Sequence, residues 1–156
     1  KNLQAVIDFE RQVGFEVLLN EWREIRRGDA AIAVAGVENW GVSFAQYGNL
    51  KKALSGTEKY PFTLLLSHDP THWDEEIVGK TEVDLTLSGH THGAQFGVGF
   101  GKKKWSPVKM KYKKWAGLYS HGKQKLYINR GFGFIGFHGR INMPPEITVI
   151  TLRARS

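Results

Sequence analysis

Cysteine is absent from the 156 residues, which excludes disulfides and thiolate metal ligation but leaves the compartment open, because oxidising compartments also host cysteine-free proteins. No uninterrupted apolar run in the residues present is long enough to cross a membrane. Acidic residues are missing from one whole stretch: between Gly101 and Trp115 there are seven lysines and no Asp or Glu. Internal repeats and convincing linkers are lacking too, so the chain reads as one domain. What is present suits a packed interior. Hydrophobic residues make up 41 % and aromatics 12 %, with nine Phe and five Trp, which is enough for a core and argues against disorder.

Two short apolar runs stop at histidines. Phe62-Thr63-Leu64-Leu65-Leu66 leads into Ser67-His68-Asp69-Pro70, and Val83-Asp84-Leu85-Thr86-Leu87 leads into Ser88-Gly89-His90-Thr91-His92-Gly93. Continuous apolar runs of this length are expected of strands buried on both faces. Between them Thr71 to Gly79, with Trp73, Ile77 and Val78, reads as a crossover helix opened by Pro70 and stopped by Gly79. In a β-α-β unit the strands are parallel and their carboxyl ends share one edge of the sheet, so His68, His90 and His92 should converge there. Imidazole is the commonest neutral metal ligand, and two histidines in a glycine-flanked loop can splay toward two ions about 3.5–4 Å apart. An ordinary pair of loop histidines is the competing reading.

These residues resemble the C-terminal half of a calcineurin-like metallophosphoesterase, whose later motifs are a strand-end histidine followed by Gly-His-x-His. The likeness covers most of the chain and is strongest to the membrane-associated bacterial branch. Its usual Gly-His-Thr-His-Gly-Gly-Gln stands here as Gly89-His90-Thr91-His92-Gly93-Ala94-Gln95, with Ala94 in place of a glycine. Its glycine-rich turn and Pro-Glu-Ile segment stand as Asn129-Arg130-Gly131-Phe132-Gly133 and Pro145-Glu146-Ile147-Thr148. The resemblance implies two divalent ions (Mn, Fe, Zn, Co or Ni) that activate water for in-line attack on phosphorus, with His68 and His90 on one ion and His92 on the other. It also implies an α/β fold of mixed sheets with flanking helices, residues 1–156 making about half of a four-layer αββα sandwich. The family's earlier motifs, Asp-x-His, Gly-Asp-x-x-Asp and Gly-Asn-His-Asp, do not occur; Asp29 and Asn39 match by residue type alone. The chain is therefore expected to be a C-terminal fragment, inactive by itself, with the catalytic histidine in a missing upstream motif.

Elsewhere, Leu3, Val6, Ile7 and Val13 recur at helical spacing up to Gly14. Phe15 to Asn20, Trp22 to Arg26 and Ala30 to Val37 read as strands, and Arg27-Gly28-Asp29 as a hairpin turn rather than an adhesion signal. Phe44 to Leu54 reads as a helix, Gly117 to Tyr119 and Lys125 to Ile128 as a hairpin, and Ile147 to Leu152 as a strand buried on both faces. His72, His121 and His138 are expected to be solvated or hydrogen-bonded rather than ligands. The lysine segment, with Lys102, Lys103, Lys104, Trp105 and Trp115, is expected to rim the site entrance and to meet anionic lipid, nucleic acid being the less favoured partner. The expected substrate is a phosphomonoester or phosphodiester, lipid-linked in one version, acted on by a membrane-associated parent. The alternative is a non-catalytic binding module whose basic aromatic loop holds lipid or nucleic acid.

Overall fold

Six strands form one mixed sheet in the order β1-β2-β3-β4-β6-β5. They are β1 Glu21–Arg27, β2 Ala30–Gly36, β3 Thr63–Leu66, β4 Leu85–Ser88, β5 Gly117–His121 and β6 Gln124–Ile128. This computed structural model describes residues 2–43, 45–99 and 105–153. β2, β3, β4 and β6 run parallel, while β1 and β5 join the two edges as antiparallel hairpin partners. Arg27-Gly28-Asp29 spans the first hairpin, with Gly28 in the left-handed region at φ 58°. The α/β class, with one mixed sheet and few helices, agrees with a partial four-layer sandwich.

The two faces of the sheet differ. Alternate residues of a strand point to opposite sides, and on one side Ala33, Ala35, Thr63, Leu65, Thr86 and Leu126 are all buried. Helix α2 (Leu50–Leu54) and a π-helix, Trp73–Ile77, supply Leu50, Trp73 and Ile77 to the core that covers this side. The opposite side carries Leu64 in register with Leu85, and Leu66 in register with Leu87, Tyr127 and Leu118. Leu66 there is 40 % exposed, so β3 is covered on one face, not on both as its apolar run suggested. No second sheet lies over that side among the described residues.

Helix α1 (Leu3–Gln12) forms where the periodicity placed it, capped by the Asn2 side chain on Ala5 N–H and followed by Gly14 at φ 96°. Ile7 is buried, whereas Leu3, Val6 and Phe9, and Val13 at the C-cap, are exposed.

Four further expectations are corrected. Phe15 to Asn20 forms no strand; Asn20 is buried at φ 58°, and its carboxamide oxygen accepts from the N–H groups of Glu38 (3.1 Å) and Asn49 (2.7 Å), so side-chain bonds replace a ladder. The helix expected over Phe44 to Leu54 is only Leu50–Leu54, because Asn49 caps Lys52 N–H and begins it there; Phe44 itself lies outside the described residues. The crossover is shorter and wider than an α-helix: Val78 N–H reaches back five residues to Trp73 C=O (2.8 Å), a π turn that buries both Trp73 and Ile77. Finally, Ile147 to Leu152 forms no strand, and Ile147 and Val149 are 84 % and 88 % exposed. Both sheet edges are already occupied by hairpin strands and there is no second layer against which the segment could bury its two apolar faces.

Candidate functional site

The parallel strands bring their carboxyl ends to one edge, and the loops leaving β3, β4 and β6 meet there. After β4 the backbone makes an unusual left-handed turn: His90 (φ 64°), His92 (φ 48°), Gly93 (φ 58°), Ala94 (φ 50°) and Gln95 (φ 54°) all have positive φ. Only glycine adopts this region freely, and a residue with a Cβ loses on the order of 1–2 kcal/mol there. Surrounding bonds hold the turn in place. Thr91 Oγ1 donates to Trp115 C=O (2.7 Å), Ser106 Oγ to Gly93 C=O (2.8 Å), and Ala94 N–H to Thr91 C=O (2.9 Å). Position 94 is thus one where a glycine would be relaxed and the alanine is strained.

The turn sets His90 against His68. Their rings meet edge to face with centroids 5.2 Å apart. His68 is open to solvent on one side but crowded beneath. Loss of hydration lowers its pKa, with the charges of His90 and His92 acting in the same direction and Asp69 opposing. His92 is lowered as well, first by desolvation and then by Arg140 and His90; Arg140 Nη2 approaches its Nδ1 at 3.4 Å. These shifts keep His68 and His92 neutral, the form in which a ring nitrogen can donate to a metal.

Two further side chains complete the surroundings. Asp69 is 1 % exposed; its Oδ1 accepts from Thr71 N–H (2.8 Å) and Oγ1 (2.7 Å), and its Oδ2 stands 3.8 Å from His90 Nε2. Gly41 lies so close to this carboxylate that an added Cβ would overlap it. Tyr112, also buried, places its hydroxyl 2.8 Å from His90 Nε2. Reasoning from sequence missed both. Asp69 directly follows His68 and could have been found as the next residue of a strand-end motif, whereas Tyr112 is 22 residues from His90 and no spacing connects them.

The remaining expected positions scatter. Lys102, Lys103 and Lys104 lie outside the described residues. Trp105 is exposed, and its backbone pairs with Val98. Trp115 is half-buried and serves the histidine turn through its carbonyl. Further along, Lys111 and Lys113 border a cleft of about 380 Å³ with Asp69, Thr71, Asp74 and Tyr112. Lys114 forms an ion pair with Asp74 at 2.6 Å and lies over the Trp73 ring. His72 is completely buried between Ser67 Oγ (2.8 Å) and Glu76 Oε2 (3.1 Å) and stacks on Trp40, a structural histidine. His121 is exposed, and His138 packs on Phe134.

As a metal site the set is partial. The donor chemistry fits, since His68 and His90 present imidazoles from adjacent strand ends. The donor number does not: among the described residues no group of three or more His, Asp or Glu side chains comes together to hold an ion.

Neither a family model nor a solved structure matches the chain. Curated relatives do. The chain is 32 % identical over 145 residues to the metallophosphoesterase YkuE of Bacillus subtilis (strain 168), covering 90 % of this chain and 48 % of that protein. It is 30 % identical over 135 residues to the transmembrane protein with metallophosphoesterase domain of Bos taurus, covering 83 % and 29 %. It is 36 % identical over 89 residues to the phosphodiesterase YaeI of Escherichia coli (strain K12), covering 57 % and 32 %. The chain spans about half the length, or less, of these relatives. Similar to named metallophosphoesterases of bacteria and vertebrates alike, it is their relative, consistent with a calcineurin-like phosphoesterase.

Proposed function

We propose that this chain serves metal-dependent phosphoester hydrolysis as part of a larger catalytic domain, supplying His68 and His90 to one divalent ion and His92 to a second. The observation that carries this reading is the edge-to-face meeting of His68 and His90 at neighbouring strand ends, in a chain related to metallophosphoesterases. When bound, the ions would acidify water and neutralise charge developing on the phosphoryl oxygens. The chain's own residues hold the ligands. Tyr112 hydrogen-bonds His90 and fixes its ring, as polar neighbours of metal-binding histidines do, the Asp69 carboxylate stands 3.8 Å from the same nitrogen, and His92 lies against Gly131 and Arg140. No bridging carboxylate and no acid for the leaving group are assigned here; both would come from outside these residues.

The Escherichia coli relative's name makes a phosphodiester the first substrate to try. The cattle and zebrafish relatives are named transmembrane proteins, which favours a membrane-associated parent and leaves a lipid-linked phosphoester open to assay. No helix among the described residues is long and apolar enough to cross a membrane. The test is metal content together with hydrolysis of bis(p-nitrophenyl) phosphate. The 156-residue chain alone should bind at most one ion, weakly, and turn over negligibly. The intact parent should hydrolyse the diester and lose that activity to a chelator. Vigorous, chelator-sensitive turnover by the chain alone would overturn the partial-site reading, and a metal-free, inactive parent would return it to a binding module.

A further inference from the structure

The loops that follow β4 and β6 meet at His92 and Arg140, where Arg140 Nη2 stands 3.4 Å from His92 Nδ1. The guanidinium is half-buried and is held by main-chain carbonyls: Nε donates to Gly133 (3.0 Å), and Nη2 donates to Gly133 (2.6 Å) and Arg130 (2.9 Å). Among the described residues Nη1 has only a long contact, to Met143 C=O at 3.5 Å. These bonds orient the group, but neutral carbonyls do not cancel its charge. Arg130 nearby is paired with Glu146 at 2.7 Å, whereas Arg140 has no ion-pair partner among the described residues.

A cation beside His92 opposes the binding of a metal ion there by like-charge repulsion, and burying part of a guanidinium without a counter-charge is unfavourable in itself. A neutral amide could donate to the same carbonyls without either cost. The charge becomes favourable once an anion joins it, and the planar fork of a guanidinium suits the oxygens of a phosphoryl group. Gly131 leaves the approach open. A Cβ at that position would stand 3.6 Å from His92 Cε1 and 3.7 Å from Arg140 Nη2, against both groups at once.

We propose that Arg140 is a substrate-binding residue whose guanidinium receives a phosphoryl oxygen at the side of the site bordered by His92 and Gly131. That the phosphoryl group belongs to an ester under hydrolysis rests on the phosphoesterase reading; that this position takes a phosphoryl anion rests on the uncompensated charge and the open approach alone. Arg140 thus supplies a fixed positive charge on the substrate side of His92, while its carbonyl bonds hold the loop in place.

Two experiments let the two readings fail separately. In the first, the 156-residue chain, stripped of metal by a chelator, is titrated with inorganic phosphate at fixed ionic strength while the amide signals of Gly131 and Gly133 are followed by nuclear magnetic resonance. The signals should move saturably in the wild type, and Arg140→Gln should weaken the apparent affinity by about 10-fold or more. Arg140→Lys, which keeps the charge but not the fork, should fall between them, with the dispersion of the remaining amide signals confirming that all three proteins are folded. Equal affinity in wild type and Arg140→Gln would overturn the proposal, as would equal movement with chloride in place of phosphate. In the second, the intact parent carrying Arg140→Gln should lose about 10-fold or more in kcat/KM for bis(p-nitrophenyl) phosphate and in inhibition by inorganic phosphate, yet hold metal at least as tightly as the wild type, because a cation beside the ion is gone. Loss of metal together with activity would overturn the proposal by showing that Arg140 only braces the turn that carries His92. A wild-type parent without metal or turnover would remove the phosphoesterase reading, and the phosphate titration of the chain would still decide whether Arg140 takes a phosphoryl anion.

Discussion

The hydroxyl of Tyr112 lies 2.8 Å from Nε2 of His90, joining the lysine segment to the histidine turn. Burial raises the tyrosine's pKa, so the phenol keeps its proton at neutral pH. Removing the hydroxyl frees the imidazole to rotate. Tyr112→Phe in the intact parent is expected to weaken metal binding and diester hydrolysis by about 10-fold, in the range seen when the outer partner of a ligating histidine is removed. Metal titration and steady-state kinetics on the two proteins check this, and the thermal midpoint should stay close to that of the wild type.

Ala94 adopts φ 50° and ψ 15° in a turn that glycine would occupy without strain. Ala94→Gly should therefore raise stability, by about 1 kcal/mol after the larger backbone entropy of unfolded glycine is subtracted. Urea denaturation reads the difference directly. A less stable Ala94→Gly variant would show that the alanine methyl contributes packing that outweighs its strain.

His68→Ala, His90→Ala and His92→Ala in the parent are each expected to lower metal content and hydrolysis, by at least about 10-fold in rate, while His121→Ala leaves both unchanged. His121 sits exposed at the end of β5, far along the sheet from the strand ends that carry the other three. Wild-type occupancy and rate in His90→Ala would remove it from the ligand set.

His72 gives a pH dependence. Loss of hydration lowers its pKa below the ordinary imidazole value, with Glu76 and Asp69 opposing the shift. At pH values above about 6.5 both folded and unfolded chains carry it neutral. As pH falls below that value the unfolded chain takes up a proton that the folded chain resists, so stability falls with acid. His68 and His92 are shifted in the same direction and add to the slope. His72→Gln should be less stable by roughly 1–3 kcal/mol at pH 7, because Ser67 and Glu76 lose a partner, yet lose less on going from pH 7 to pH 5. Denaturant midpoints at the two values decide it.

Much of the sheet was legible because its strands announce themselves as apolar runs between turn residues. Once β3 and β4 were read as parallel, the approach of His68 to His90 followed from topology alone. What escaped notice depends on contacts distant in sequence. Tyr112 reaches His90 across a lysine-rich segment that reads as loop. Asp69 looks like an ordinary turn residue until its burial beside Gly41 is seen. His72 is hydrogen-bonded rather than a ligand, as expected, but nothing in the local sequence marks the depth to which it is buried. The run Ile147 to Leu152 has every local mark of a strand and forms none, because a strand needs a neighbour and local pattern cannot supply one.

That final run has a practical consequence. Ile147-Thr148-Val149-Ile150-Thr151-Leu152 contains neither a charge nor a proline, is mostly β-branched, and leaves its apolar side chains facing water. Short segments of this composition pair with copies of themselves in stacked arrays. Concentrated solutions of the chain are therefore expected to thicken into cross-β assemblies nucleated at this tail. Light scattering and thioflavin fluorescence should rise together with concentration, and Val149→Lys, which puts a like charge on every rung, should delay both.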